Sequence, residues 1–367
     1  MRAAGAASTL VDRRAFLRMA GAAWVAALGP RPSFALSQTD AVFASGYMER
    51  DGSFGIAVLA EDGTLIDRTP LPARSHGMAF SPATGHLVAF ARRPGTFALI
   101  ADRNGRAAPV TIAAAEDRHF FGHGCFSPDG RILYASENDF DANRGVIGLY
   151  DAGDGYRRIG EYSTYGIGTH DLSVSDDGRL LIAANGGIET HPDFARTKLN
   201  LDHMEPSLAL IDATSGALVE RHALPEKLRQ LSTRHIDLDV TGRIWFACQY
   251  EGPRDDLPPL VGHFGRGEDL TFLSLPEETT IGLANYVGAI AVNRREGLVG
   301  LTSPNGGRFV VLETKSGQVL REETVADAAG IAAAPQGFAV SSYDGRFAGS
   351  REAVAWDQHI ASLMPRR

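Results

Sequence analysis

Residues 120–155, FFGHGCFSPDGRILYASENDFDANRGVIGLYDAGDG, hold three short apolar runs separated by polar segments. The turn SPDG (127–130) joins the first run to the second, and a second glycine-containing turn, AGDG (152–155), follows the third. Short apolar runs bounded by Gly, Asp, Asn and Pro are typical of β-strands joined by tight turns. The stretch therefore predicts consecutive antiparallel strands.

The same pattern recurs along the chain, which decides the fold. The second apolar run of each repeat reads AVFASGYM (41–48), HLVAFARR (86–93), ILYASEND (132–139), LLIAANGG (180–187), IWFACQYE (244–251), LVGLTSPN (298–305) and GFAVSSYD (337–344). A repeat of about 45 residues with four strands is typical of a β-propeller blade. We therefore predict an all-β fold, a single seven-bladed β-propeller of four-stranded blades over residues 36–367.

The two ends of the repeat array are incomplete. The first repeat has no obvious inner strand and the last has no obvious outer strand, so strands from both termini are expected to complete one shared blade and hide the sheet edges. The run AVAWDQHI (353–360) is assigned to the third strand of the last repeat. Six blades stay an alternative if one terminal repeat is only half built.

The N-terminal segment is predicted to be an export signal. Arg13 and Arg14 precede a weakly hydrophobic stretch, and Ser33, Phe34 and Ala35 resemble a cleavage site. This pattern predicts a twin-arginine signal peptide over residues 1–35 and export of the folded protein to the periplasm. The apolar stretch is shorter than the roughly 20 residues that span a bilayer, so no stable membrane insertion is expected.

The net charge of the chain limits the classes of partner that it can bind. The chain has a formal net charge of −8, and residues 1–35 hold five arginines and one aspartate, so the remainder has 31 basic and 43 acidic residues, a net charge of −12. This balance disfavours nucleic acid and anionic membranes as partners. Cys125 and Cys248 fall in non-adjacent repeats, so a disulfide between them is not expected.

The two faces of the predicted propeller differ in chemistry. One face, here called the turn face, carries short turns of the SPDG and ATSG kind, which need no function. The opposite face, here called the loop face, carries the connections from second to third strands and those that lead into each inner strand. It includes a long insertion that runs to Pro206. Long loops on one side of a rigid scaffold usually carry the function.

Four histidines recur at nearly the same point, just before an inner strand: His76, His123, His170 and His235. They are expected to converge on the loop-face end of the central channel. One interpretation is structural, with each imidazole tying down its own blade. The other is a metal site, since imidazole is a favoured ligand for iron, copper and zinc.

Additional residues are assigned to this site or kept out of it. Glu137 and His191 are predicted further metal ligands, and iron or copper is favoured over calcium. Asp171 and Asp237 are either partners of metal-bound imidazoles or carboxylates of strand-end turns. His119 is expected in a solvated loop. Four histidines are assigned to outer strands as structural or exposed residues: His86, His222, His263 and His359.

The loop face also supplies predicted binding residues for a metal complex or chelate. These are Arg74, Asn138, Asn185, Arg234, Tyr250, Asn305 and Tyr343. No nucleophile or phosphate-binding motif is present, so an enzyme is not favoured. Two other function classes stay open, a lactonase-like calcium-dependent hydrolase and a metal-free scaffold that docks a partner protein.

Several longer motifs carry a family resemblance. The twin-arginine leader, LLIAANGGIETHPD with KLNLDHMEPSLALID, NYVGAIA and AAPQGFAVSSYDG together resemble a periplasmic β-propeller family of unknown function often encoded beside imelysin-type iron-uptake proteins. The resemblance covers most of the chain after residue 35. It implies a seven-bladed propeller with a role in iron uptake or handling, and periplasmic iron-uptake proteins as partners.

Overall fold

The computed structural model describes residues 42–103, 105, 107–194 and 196–364. The predicted signal peptide, residues 1–35, lies outside these ranges and stays a prediction. None of the helices in the described ranges is long and apolar enough to cross a membrane.

The described residues are almost entirely strands and turns. The strands are β1 (Phe43–Glu49), β2 (Phe54–Leu59), β3 (Leu65–Leu71), β4 (Ser75–Phe80), β5 (His86–Ala91), β6 (Phe97–Asp102), β7 (Val110–Ala113), β8 (Arg118–Phe126), β9 (Ile132–Asp139), β10 (Arg144–Asp151), β11 (Arg157–Ser163), β12 (Thr169–Val174), β13 (Leu180–Asn185), β14 (Ser207–Asp212), β15 (Leu218–Ala223), β16 (Leu231–Leu238), β17 (Ile244–Tyr250), β18 (Val261–Phe264), β19 (Thr271–Phe272), β20 (Ala289–Asn293), β21 (Leu298–Ser303), β22 (Arg308–Glu313), β23 (Val319–Thr324), β24 (Ala328–Ala333), β25 (Phe338–Ser342), β26 (Arg346–Phe347), β27 (Ser350–Arg351) and β28 (Val354–Ser362). One α-helix, α1 (Glu277–Gly282), and two 3₁₀ turns, Pro192–Phe194 and Glu226–Leu228, lie in the connections.

These strands form seven antiparallel four-stranded sheets, which confirms the predicted seven-bladed β-propeller. The first blade has the order β28-β1-β2-β3, and the next six each use four consecutive strands. The inner strands β28, β4, β8, β12, β16, β20 and β24 pack side by side in that order around the centre. The largest apolar core lies between neighbouring blades and includes Trp245, Phe246 and Val310.

The turn face owes its shape to local side-chain bonds. In the SPDG turn, the Ser127 hydroxyl donates to Asp129 Oδ1 at 2.6 Å, and the same oxygen accepts the Arg131 backbone N–H at 3.1 Å. Gly130 has φ of 71°, which favours glycine. The role assigned to these residues as turn formers is confirmed.

The shared blade predicted from the incomplete ends is present, but one strand assignment was wrong. The run 353–360 contributes to β28, which is the inner strand of the first blade and pairs with β1. It is not the third strand of the last blade, because the two-residue strands β26 and β27 fill the outer positions there. An apolar run looks the same in either position, so sequence could not separate them.

The inner strands are irregular close to the loop face. Pairing with the second strand shifts between Ser75 and Met78, between Phe120 and Gly124, and between Thr169 and Asp171. Further shifts occur in β16 and in β28. Such bulges turn a side chain away from the regular alternation of a strand. Each of these five strands carries a histidine, whereas β24, whose pairing shifts between Ala328 and Ile331, carries none.

Candidate metal centre

Five histidines meet inside the channel near the loop face. They lie on the inner strands of five consecutive blades: His359 on β28, His76 on β4, His123 on β8, His170 on β12 and His235 on β16. The four predicted members are buried, and the ring of His359 is also shielded at Nε2, although that residue as a whole is partly exposed. The structure thus brings together His76, His123, His170 and His235, and it places them within the inner strands rather than before them.

The five rings form one compact group. His123 packs against each of the others, with ring centroids 4.6 Å from His359, 4.8 Å from His76, 4.9 Å from His170 and 5.3 Å from His235. The other four form a closed cycle around it, with centroid distances between neighbours from 4.6 to 5.4 Å. We call these five residues the histidine cluster.

Nitrogen atoms in the cluster approach the spacing that a shared ion requires. In two overlapping triads, His76 with His123 and His170, and His123 with His235 and His359, the ligand nitrogens lie within 4.8 Å of one another. Nitrogens bound to one metal at about 2.0–2.1 Å lie roughly 3–4 Å apart. Small side-chain rotations would therefore close either triad around an ion.

Unsatisfied ring nitrogens distinguish the cluster from an ordinary histidine network. His76 Nδ1, His123 Nε2, His170 Nε2 and His359 Nε2 are all shielded from solvent and have no hydrogen-bond partner among the described residues. A buried polar atom without a partner costs free energy, and such atoms are rare in folded proteins. Four of them in one place leave imidazole nitrogens available for a ligand.

Asp171 orients two of the rings. Its Oδ1 lies 3.3 Å from His123 Nδ1, and its Oδ2 lies 3.9 Å from His235 Nδ1. The Leu172 and Ile236 backbone N–H groups donate to the same carboxylate at 2.8 and 3.1 Å. A carboxylate that accepts from Nδ1 leaves the lone pair of His123 on Nε2, the nitrogen that has no partner. Asp171 therefore occupies the position expected for the partner of a metal-bound imidazole.

Burial keeps most of the cluster neutral. It lowers the pKa of His76, His170 and His359 well below the usual value, and neighbouring imidazoles or guanidiniums lower it further. It also lowers the pKa of His235 to about 4, although Asp171 opposes the shift. Neutral imidazole is the metal-binding form. These four side chains are therefore in the ligand form at pH 7.

Two glycines allow the rings to pack so closely. A Cβ atom on Gly77 would lie 2.6 Å from His123 Nδ1. A Cβ atom on Gly122, which has φ of 107°, would lie 2.8 Å from His76 Cδ2. Both distances are too short for any larger residue, so the sequence around the cluster is adapted to this packing.

Glu137 and His191, the two other predicted metal ligands, are not brought to the cluster. The Glu137 carboxylate accepts the Tyr150 hydroxyl at 2.6 Å and pairs with Arg158 at 2.8 Å. Glu137 therefore forms an ion pair within the third blade. His191 packs against Phe140 at 5.2 Å in the long loop connection.

Several of the predicted binding residues are engaged in local bonds. Asn138 donates to the Thr190 carbonyl, Asn185 accepts from Thr169 and donates to the Thr164 carbonyl, and the Tyr250 hydroxyl donates to Asp256. Asn305 is exposed in a turn.

The remaining three lie around the channel mouth. Arg74 binds Asp357 through two nitrogens, at 2.9 and 3.0 Å. Burial lowers the pKa of Arg74, but Asp357 and the nearby Tyr343 raise it, and the net shift is upward. The Arg234 guanidinium lies 3.3 Å from His170 Nδ1 and 3.6 Å from Glu251.

Two histidine assignments from sequence were wrong. His359 is a member of the cluster, because its strand crosses to the first blade instead of staying in the last. His119 is buried in β8, where it contacts Asn138 and the Phe120 carbonyl, and is not in a solvated loop. No local motif shared with the other four histidines marks His359, and the repeat alignment placed its strand in the last blade.

The fold and the site together define the class, a seven-bladed β-propeller with a histidine cluster inside one end of its channel. The chain belongs to the family described as protein of unknown function (DUF1513), whose model matches residues 69–363. The export route and the iron-uptake partners stay predictions.

Solved structures support the fold. A chain of Kuenenia stuttgartiensis hydrazine synthase is similar with a TM-score of 0.60 and 15% identity, over 85% of this chain and 94% of that chain. The β-propeller domain of Myceliophteria thermophila Cps50 (Swd1) has a TM-score of 0.59 and 10% identity, over 87% and 99% of the two chains. At these identities the likeness concerns the fold alone. No curated protein matches the chain.

Proposed function

We propose that this protein binds a transition-metal ion in the histidine cluster, and that it does so in periplasmic iron uptake or handling. The observation that carries the proposal is the group of four shielded imidazole nitrogens without partners, gathered within one set of touching rings. A purely structural role for the histidines would predict that these nitrogens are hydrogen-bonded within their own blades. The iron-related setting rests on the family resemblance.

The ligand set favours iron or copper over calcium. Imidazole nitrogen suits iron, copper, nickel and zinc, whereas calcium takes six to eight oxygen ligands. Asp171 is the carboxylate that contacts the cluster, and its two oxygens already face His123, His235 and two backbone N–H groups. A lactonase-like calcium site at this position therefore has little support from the donor atoms.

Metal titration tests the proposal directly. Metal-free protein titrated with Cu²⁺, or with Fe²⁺ under anaerobic conditions, is expected to bind one ion per chain, as measured by calorimetry and elemental analysis. Replacing His123 and His235 together by Ala removes members of both triads and is expected to weaken binding at least 100-fold. Nitrogen hyperfine coupling in the Cu²⁺ resonance spectrum reports imidazole ligation independently of affinity.

The matched control is the double variant His203→Ala with His222→Ala. His203 is exposed beside Asp202, and His222 pairs with Glu220 away from the channel. Equal binding by the two double variants would contradict the proposal, as would stoichiometric binding of Ca²⁺ alone. Circular dichroism of each variant separates loss of the site from loss of the fold.

Asp171 provides a second test through ligand orientation. Asp171→Asn removes the charge that holds His123 in its Nδ1–H form, and metal affinity is expected to fall about 10-fold to 100-fold. Asp237→Asn is the control. Asp237 accepts the Val292 and Leu238 backbone N–H groups at 2.8 and 2.9 Å, and Asp171 likewise accepts two backbone N–H groups. The same loss of affinity in both variants would show a general structural effect instead.

A further inference from the structure

Four arginines interact electrostatically near the histidine cluster, and one of them, Arg234, contacts His170 directly. Arg92 and Arg93 directly follow β5, Arg234 precedes His235 in β16, and Arg196 lies in the long connection after β13. The Arg92 backbone N–H donates to the Arg74 carbonyl at 2.9 Å, which fixes this connection beside the start of the inner strand β4. We call the four residues the arginine group.

The nearby carboxylates are already committed to other cations. Asp357 accepts hydrogen bonds from Nε and Nη2 of Arg74, and Glu251 is shared between Lys198 and Arg234. Within the described ranges, no carboxylate forms an ion pair with Arg92, Arg93 or Arg196. Arg92, Arg93 and Arg196 therefore have no carboxylate of their own, although Arg93 lies 5.5 Å over the Phe121 ring and Arg196 is exposed to solvent.

Unsatisfied donors accompany this excess of charge. Arg92 Nε and Arg234 Nε are shielded from solvent and have no acceptor among the described residues. A buried guanidinium N–H without an acceptor is costly, and carboxylate or phosphate oxygens are the acceptors that match its fork-shaped geometry. The arginine group thus offers donors that point to an anionic ligand.

Electrostatics indicates that the guanidiniums act on one another and on the cluster. Burial lowers the pKa of Arg93, and Arg234, Arg196 and Arg92 lower it further. Arg92 likewise contributes to the lowered pKa of His76 and His359. Arg234 Nη1 lies 3.3 Å from His170 Nδ1, so the two groups are in direct contact.

This charge distribution opposes a bare cation in the cluster. Like charges at short range repel strongly in a partly desolvated site, and the single carboxylate of Asp171 offsets only one of the positive charges. An anion between the metal and the arginines would remove the repulsion and supply the missing acceptors at once.

We infer that the arginine group is an oxyanion site, and that the metal is held together with a ligand that bears carboxylate or phosphate oxygens. The inference rests on the proposed function, because it names the second component of the same site. The anion would bridge the histidine cluster and Arg92, Arg93, Arg196 and Arg234. By thermodynamic linkage, metal and anion then raise each other's affinity by the same factor.

The experiment measures anion binding with and without metal. Inorganic phosphate and malonate are titrated separately into metal-free protein and into protein loaded with one equivalent of Cu²⁺, with calorimetry at low chloride. We expect binding to both forms, about 10-fold tighter in the loaded form. The probe that binds with the higher affinity shows whether the site prefers phosphate or carboxylate oxygens.

The variant that tests the arginine group is Arg92→Gln with Arg93→Gln, expected to weaken anion binding to either form at least 10-fold. Its matched control is Arg131→Gln with Arg179→Gln, which removes two exposed arginines from turns of the turn face. Thermal unfolding confirms that both variants are folded.

The outcomes separate this inference from the proposed function. Metal binding without anion binding, or anion binding equal in the two double variants, overturns the oxyanion site and leaves the metal site standing. Arginine-dependent anion binding in a protein that takes no metal overturns the proposed function and supports the oxyanion site by itself.

Discussion

Metal-free protein is expected to lose stability steeply as the pH falls from about 6.5 towards 4. His76, His170, His235 and His359 have a lowered pKa in the folded protein because they are buried, and for His235 the value is about 4. In the unfolded chain the same side chains take up protons near pH 6.5. The unfolded state then binds more protons than the folded state, so acid favours unfolding.

The expected size of this effect is large. Each histidine that stays neutral in the folded state lowers the free energy of unfolding by about 1.4 kcal/mol per pH unit well below 6.5, so four lower it by roughly 6 kcal/mol per unit. A domain has about 5–15 kcal/mol of stability in total. One to two pH units of acidification should therefore bring metal-free protein close to its unfolding midpoint.

Urea unfolding at pH 7.5, 6.5 and 5.5 measures this dependence. His170→Gln is expected to reduce the slope by about 1.4 kcal/mol per pH unit, whereas His203→Gln, at an exposed position, should leave the slope unchanged. One equivalent of metal should reduce the dependence of the free energy of unfolding on pH, because a bound ion keeps its ligands deprotonated. If the free energy of unfolding changed with pH by the same amount in the wild-type protein, His170→Gln and His203→Gln, the prediction would be wrong.

The blade architecture was predictable because it is encoded locally and repeatedly. The SPDG turn at 127–130 and its counterparts specify a tight turn by their own side chains, and the apolar runs on either side have strand length. Counting these units gives the number of blades without knowledge of any long-range contact. The convergence of His76, His123, His170 and His235 followed from the same counting, since equivalent positions in a propeller face the same channel.

The rest of the site depends on contacts that no local pattern reveals. His359 joins the cluster only because the C-terminal strand pairs with β1, more than 300 residues earlier. Glu137 looked like a ligand, but its carboxylate faces Tyr150 and Arg158 across the third blade. The arginine group combines residues from three blades, and the lack of carboxylate partners for three of them becomes visible only when the committed partners of Asp357 and Glu251 are known.

Trp356→Ala is expected to destabilise the protein by about 3–5 kcal/mol. Trp356 is fully buried in the closing strand β28, with its ring centroid 5.3 Å from Phe347 and 6.2 Å from Tyr47. Its indole N–H donates to the Gly345 carbonyl at 3.0 Å. The side chain therefore joins the last blade to the first, and its loss leaves a cavity and an acceptor without its donor where the ring of blades is closed.

The variant should also weaken metal binding, since His359 is three residues further along the same strand. We expect metal affinity to fall at least 10-fold, because a loosened β28 no longer holds this imidazole against His76 and His123. Trp245→Ala is the matched control. Trp245 is equally buried, and its indole donates to Asp239 at 3.2 Å within the fifth blade.

Both tryptophan variants should lose similar stability in urea unfolding, but only Trp356→Ala should lose metal affinity by calorimetry under conditions where both are folded. Equal metal affinities in the two variants would mean that β28 closes the ring of blades but supplies no metal ligand. The site would then consist of the triad His76, His123 and His170. A selective loss would instead tie the closure of the propeller to the metal site, because one strand completes both.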